Sequence, residues 1–281
     1  VEGEMRHKKF ISRNLAVAGV IEALLLVGLV SIILSTIQLV YIPQIMNDRE
    51  AEHMDEVSNQ FSSLKSMIDL QIITRSDAPI FSMITLGSRE LPYFITARAY
   101  GEVSVPEDDL GRIVVDGDEW NAISLTCVKY TSYNSYFVDQ TYILEGGGII
   151  VCQSDGEPVM RVDPPISVEN SSNVNIYYDL PMIHGIPGKN FTYGHGKCFI
   201  RTNFSNSITY QNWTSISSNI RIYTNYTHAW YEILDDLLGD LVDINQEESY
   251  VEIRKKNGGK DIGLYVTKFP IYMQIGPGWI S

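Results

Sequence analysis

The sequence predicts an α+β protein in which a long N-terminal transmembrane and amphipathic helix precedes an antiparallel, β-rich, sandwich-like domain with one additional helix. Three observations carry this expectation. The run from Leu15 to Met46 holds Glu22 as its only charged residue. A helical stripe follows it, and beyond Thr74 the chain turns to short runs of β-branched and aromatic residues.

The apolar run exceeds the roughly 20 residues that cross a bilayer. The alternative, a buried core helix, conflicts with so long a stretch lacking a polar face. Arg6, His7, Lys8, Lys9 and Arg13 precede the run, whereas Asp48, Glu50, Glu52, Asp55 and Glu56 follow it. That asymmetry places the basic end in the cytoplasm and the rest outside. The expected segments are therefore a basic leader over 1–14, a membrane helix over 15–46, its amphipathic extension over 47–73 and an extracellular domain over 74–281.

Met54, Val57, Phe61, Leu64 and Ile68 recur at helical spacing, with polar residues between them. No glycine occurs between Gly28 and Gly87, and Pro43 removes one helical hydrogen bond, so one bent helix is expected, kinked near the outer interface. At ~1.5 Å per residue it would be on the order of 85 Å long. Its stripe packs on the chain's own sheet, or also on neighbouring subunits.

Candidate strands are Phe94 to Arg98, Ala122 to Tyr130, Phe137 to Leu144, Gly148 to Cys152 and Asn173 to Tyr178. Turn residues at Asp116-Gly117-Asp118, Gly146-Gly147-Gly148, Asp155-Gly156 and Asp163-Pro164-Pro165 separate them. Thr227 as a cap, followed by Trp230, Ile233, Leu234, Leu237 and Leu241, predicts a surface helix near 228–242. A closing hairpin is expected from Tyr250–Lys256 through Asn257-Gly258-Gly259 into Ile262–Phe269.

From Asp48 onward 17 Lys and Arg face 31 Asp and Glu, a net of −14, which argues against nucleic acid or an anionic lipid surface as partner. Cys127, Cys152 and Cys198 lack the spacing of a zinc site. Cys127 and Cys152, on neighbouring candidate strands, are the expected disulfide, against the alternative that all three thiols are free. Five N-x-S/T sequons, at Asn170, Asn190, Asn203, Asn212 and Asn225, exceed the two or three that chance gives with 16 asparagines, so glycosylation is expected at some of them.

Signals of catalysis are weak. The histidines His7, His53, His184, His195 and His228 form no metalloprotease pattern, and His195 with Cys198 is the nearest approach to a nucleophile pair. Gly185 to Asn190 lacks phosphate-loop spacing and reads as a turn. Asp116-Gly117-Asp118-Glu119 offers oxygens to Ca²⁺, or is a solvated tip. Tyr130, Tyr133 and Tyr136 could line a binding face, or serve as amphipathic strand residues. No catalytic residue, metal or cofactor is assigned.

Arg13 to Gly28, Glu52-His53-Met54 with Val57 and Phe61, Thr85-Leu86-Gly87, Pro158 to Arg161 and Asp163-Pro164-Pro165 together resemble a family of archaeal type IV pilin-like surface proteins. The resemblance implies a class III leader cut by a prepilin peptidase, here at Arg13, Asn14 and Leu15. It also implies assembly through the N-terminal helix with other pilin-like subunits, with Glu22 meeting a neighbour's N-terminal amine. Otherwise Glu22, costly in lipid, snorkels to the interface or stays protonated. The resulting expectation is a surface structural or adhesion subunit; the alternatives are a non-polymerising single-pass protein or pseudopilin that binds a partner and, last, an anchored hydrolase.

Overall fold

The computed structural model describes residues 2–89, 97–108 and 110–276, with side chains from Ala18 onward. Helix α1 (Glu2–Thr36) passes through a five-residue π-helical turn, Ile37–Tyr41, into α2 (Ile42–Thr74). The π turn is the form the expected proline bend takes. Pro43 has no N–H, and its ring would strike the carbonyl four residues back. The wider turn, in which the Ile42 N–H reaches the Ile37 carbonyl, absorbs that conflict without ending the helix.

Helix α2 ends where Arg75 takes a left-handed conformation, φ 49°. The Gln71 amide, fully buried, then holds the turning chain by donating to the Ala78 and Thr202 carbonyls.

The strands follow as β1 (Ile80–Thr85), β2 (Tyr100–Ser104), β3 (Gly111–Val115), β4 (Ile123–Leu125), β5 (Cys127–Tyr133) and β6 (Gln140–Glu145). Next come β7 (Gly148–Gln153), β8 (Val159–Val162), β9 (Ile166–Asn170), β10 (Val174–Gly185), β11 (Phe191–Gly194) and β12 (Lys197–Phe204). After β13 (Thr209–Trp213) and β14 (Asn219–Tyr223) lies α3 (Thr227–Leu238), then β15 (Asp243–Gln246), β16 (Tyr250–Arg254) and β17 (Ile262–Gly276). The first sheet has the order β1-β12-β17-β10-β9, with β13 also on β17; the second is β11-β2-β5-β6-β7-β8; the third is β15-β16-β14-β3-β4. A long apolar helix followed by a β-rich head of mostly antiparallel sheets is thus present, as the sequence predicts.

Two hydrophobic cores are stacked within the head. The first gathers α3, the third sheet and the leading halves of β10 and β17. The second gathers the α2 stripe, β1, β12 and the trailing halves of β10 and β17. On β17, Ile262, Leu264 and Val266 enter the first core, whereas Phe269, Ile271, Met273 and Ile275 enter the second. Since alternate residues face opposite sides of a strand, one sheet covers one core with one face and the other core with its reverse. Strands β5 to β7 do the same: Cys127, Ile143 and Ile150 face the first core, and Val128, Tyr130, Tyr142, Leu144, Ile149 and Val151 the second. Burial on both faces explains why β6 and β7 lack polar alternation.

Several expectations need correction. Strands β16 and β17 do not form the closing hairpin: β16 pairs with β14 and β15, and β17 runs parallel to β10 along Val174–Gly185. The Asn257-Gly258-Gly259 turn instead carries the chain from the third sheet to the first. Thr227 is the first residue of α3 rather than its cap, and the capping position, Tyr226, makes no side-chain capping bond. The strand expected at Phe94 to Arg98 lies outside the described residues up to Thr96, and Ala97 and Arg98 carry no strand.

Candidate functional site

The helix is two surfaces joined end to end. From Ala18 to Tyr41 its apolar side chains are turned outward, with Leu24 at 67% and Leu25 at 70% exposure, and none of its most apolar stretch is buried by the rest of the protein. Ala18–Thr74 is long and apolar enough near the N-terminus to cross a membrane. Glu22 stands exposed within the outward-facing apolar part. Arg13, Asn14 and Leu15 lie within α1, where the backbone is helical.

Past Ile42 the helix becomes part of the core. Met54, Val57, Phe61, Leu64 and Ile68 are each at most 2% exposed, so the predicted stripe seals the second core. Phe61 meets the rings of Tyr130 and Tyr142 at 6.3 and 5.8 Å.

Polar contacts fix the helix in register along this seam. The Gln60 side chain acts as a substitute strand: its Oε1 accepts the Thr85 N–H at 2.8 Å, and its Nε2 donates to Thr85 Oγ1 at 2.8 Å. The Thr85 hydroxyl donates to Glu56, and His53 Nε2–H donates to the Thr85 carbonyl at 3.0 Å. Covering an exposed edge strand in this way also guards against pairing with another chain. Two segments noted separately in the sequence, Glu52-His53-Met54 and Thr85-Leu86-Gly87, are thus in direct contact.

Nearer the exposed apolar part of the helix, Glu50 is fully buried. Its carboxylate accepts N–H bonds from Ser135 (3.2 Å), Tyr136 (2.7 Å) and Phe137 (2.7 Å) in the β5–β6 loop. Asn47 Nδ2 donates to the Tyr136 carbonyl at 2.8 Å. This is an anion nest built from successive backbone amides.

Burial lowers the pKa of His53 from 6.5, against weaker opposing effects of the Thr85 bond and the Glu56 and Glu50 charges. Its Nδ1 is buried without a partner. A lowered histidine pKa means that the unfolded chain binds the proton more tightly. The histidine's stabilising contribution is therefore full above 6.5 and is lost as pH falls from there through the lower folded value. We expect the thermal midpoint of the detergent-solubilised chain to fall between about pH 7.5 and about pH 5.5, and His53→Gln to remove part of that fall.

A second polar node sits in the first core. Glu145, 3% exposed, accepts from Thr224 Oγ1 and Trp230 Nε1 at 2.8 Å each, and burial raises its pKa. Beside it, Gly146 and Gly147 turn with φ of 57° and 84°. A Cβ on Gly146 would lie 2.3 Å from the Tyr178 hydroxyl, and one on Gly147 would lie 2.7 Å from Pro165. The Gly146-Gly147-Gly148 turn therefore sits against Asp163-Pro164-Pro165, bringing together another pair of the segments singled out in the sequence.

The remaining sequence candidates are dispersed. Cys127 and Cys152 are free thiols, as is Cys198, which corrects the expected disulfide. Strand β6 separates them: Cys127 is opposite Glu145 and Cys152 opposite Thr141, so they differ both in strand and in level. Burial pushes Cys127 up to about 12 and Cys198 to about 11, the reverse of nucleophile activation. His195 Nδ1 contacts the Ala99 carbonyl at 3.0 Å. Asp116 is occupied as a backbone clamp, accepting from Ser217, Ser218 and Asn219. The Gly185–Asn190 segment is a turn, with Gly188 at φ 75° and strand β11 after it.

Of the two readings of the tyrosines, the shared binding face is not the one Tyr130 and Tyr133 follow. Tyr130 is buried in the second core, whereas Tyr133 is exposed and stacked on Tyr100 at 4.6 Å. Of the sequons, Asn170, Asn212 and Asn225 are exposed and Asn190 and Asn203 half-buried. An open cleft of about 490 Å³ lies beside the helix seam, lined by Arg49, Glu52, His53, Glu56, His195 and Lys197 among others. Among the described residues no cluster of three or more His, Cys, Asp or Glu could hold a metal ion.

Together these features define a β-rich protein whose head is fixed along one N-terminal helix able to span a bilayer. Comparison with protein-family models, with curated proteins and with solved structures gives no match.

Proposed function

We propose that the protein is a pilin-like cell-surface subunit, archaeal in type, with structural or adhesive rather than catalytic work. Its helix is retained in the membrane or assembled with other pilin-like helices, and its acidic, glycosylated head stands outside the cell. One observation carries this reading: a single helix is apolar and uncovered over Ala18–Tyr41, yet is a core element of the head from Ile42 onward. Exposed apolar surface of that extent requires lipid or other helices to cover it. The same continuity would transmit any anchoring of the helix directly to the head. Glu22 is the residue assigned to assembly, and Arg13-Asn14-Leu15 the place of processing.

A second reading, a fixed single-pass protein that recruits a partner, is favoured by the backbone at Arg13-Asn14-Leu15. It is helical there, whereas a peptidase must open its substrate to reach the peptide bond. Intact mass and N-terminal peptide analysis of protein from the native envelope separates the two. A start near Leu15 is expected for a filament subunit; a chain retaining the residues before Arg13 would replace it with the fixed anchor.

A further inference from the structure

Among the described residues strand β13 has β17 as its only strand partner, leaving its other edge open there. On it, Asn212 stands directly opposite Tyr265 of β17, and Tyr265 is level with Tyr177 of β10. Directly opposed residues share a face of the sheet. The two tyrosine rings are stacked, with centroids 5.0 Å apart and planes 19° apart. Because Tyr177 covers one face of the Tyr265 ring from the β10 side, the opposite face is turned toward β13 and Asn212.

We propose that Asn212 carries an N-linked glycan whose first sugar packs its C–H face on Tyr265, extending the Tyr177–Tyr265 stack by one layer. This rests on the reading that the head lies outside the cytoplasm. The sequons at Asn190 and Asn170 differ in ways that matter to this chemistry. The Asn190 amide nitrogen, the atom that must bond to sugar, donates to Glu107 Oε1 at 3.2 Å. The Asn170 side chain is held by Lys260 at 2.6 Å and is opposite Val174 rather than an aromatic ring. Asn212 is exposed, its side chain has no hydrogen-bond partner among the described residues, and Thr214 completes its sequon. The arrangement recurs at half-buried Asn203, opposite Tyr272, whose ring lies 5.7 Å from that of His184 on β10.

In the transfer, Asn212 Nδ2 displaces the phosphate of a lipid-phosphate-linked sugar donor. The Nδ2–C1 bond forms and the C1–O bond to phosphate breaks; the amide proton passes to a base of the transferring enzyme and the lipid phosphate leaves. The product places a bulky polar group on an open strand edge, where it also blocks pairing with another sheet.

The test uses full-length protein from its native envelope and two variants, Asn212→Gln and Thr214→Ala, the second keeping the asparagine. Glycopeptide mass spectrometry is expected to find sugar on Asn212 and on neither variant. Nitration of Tyr265 by tetranitromethane, referred to exposed Tyr193 on the second sheet, is expected to be about fivefold slower in the native protein than in Thr214→Ala, the protection a stack of ordinary aromatic strength maintains. A bare Asn212 overturns the assignment, as does equal Tyr265 reactivity with and without the sequon. Binding of free oligosaccharide to bare protein would give the face to an external glycan and also overturn it. Labelling of intact cells with a membrane-impermeant amine reagent separates the two levels: a labelled head with bare Asn212 sinks only this inference, and an unlabelled head sinks the surface reading beneath it.

Discussion

Trp230→Ala is expected to destabilise the head by about 3–5 kcal/mol, the range for removing a buried aromatic side chain from a core. Trp230 is fully buried, and its ring lies 3.2 Å from the position a Gly146 Cβ would take. The substitution leaves a cavity in the first core and deprives the buried Glu145 carboxylate of one of its two donors. Trp230→Phe separates these effects, since it keeps most of the volume and loses only the N–H; about 1–3 kcal/mol is expected for the unpaired acceptor. Urea unfolding of the detergent-solubilised full chain, followed by far-ultraviolet circular dichroism, measures both. Equal stability of the wild-type and phenylalanine proteins, with only the alanine variant weakened, would mean that the node contributes nothing beyond shape. A loss of this size is a large share of the roughly 5–15 kcal/mol that holds a typical domain together.

Glu50→Ala is expected to cost a similar amount, about 3–5 kcal/mol, because it strands buried groups that were arranged around a charge. Here the loss should be local. Hydrogen exchange should rise in the 134–139 loop and at the neighbouring turns of α2, while the first core, on the far side of β5 to β7, keeps its protection. Glu50→Gln is the sharper control. Its oxygen can take the place of Oε2, which accepts from all three N–H groups, but the charge is lost and its amide nitrogen would oppose the Ser135 N–H, so it should restore only part of the loss even though it matches glutamate in size. Full protection of the loop in the glutamine variant would show that shape, not charge, holds it.

These two nodes mark what sequence reasoning missed. In the sequence Glu50 reads as one of the acids that follow the apolar run, yet it lies one helical turn from Met46 and from Met54 on the buried stripe. That position was a usable signal: an acid on an apolar stripe must find donors or be expelled. Glu145 gave no such sign, since its donors Thr224 and Trp230 are far along the chain and belong to different elements. The cysteine pairing failed for a related reason. The candidate strand Phe137 to Leu144, which lies between the two cysteines in sequence, is β6 and also lies between them in space, so only the strand order, which no local signal gives, excludes the pair.

What the sequence determined by itself was the periodic part of the molecule. The apolar run, the stripe from Met54 to Ile68, α3 and the existence of β-strands all follow from hydrophobic spacing, which acts locally and survives any arrangement of the rest. The tertiary structure alone decided the parallel pairing of β10 with β17, the sharing of one sheet between two cores, and the meeting of His53 with Thr85, Glu50 with the β5–β6 loop and Asn212 with Tyr265. Those contacts depend on which strand edges meet and in what register. Both are settled by burial of the whole chain together, because no short segment holds the free energy to choose between competing partners.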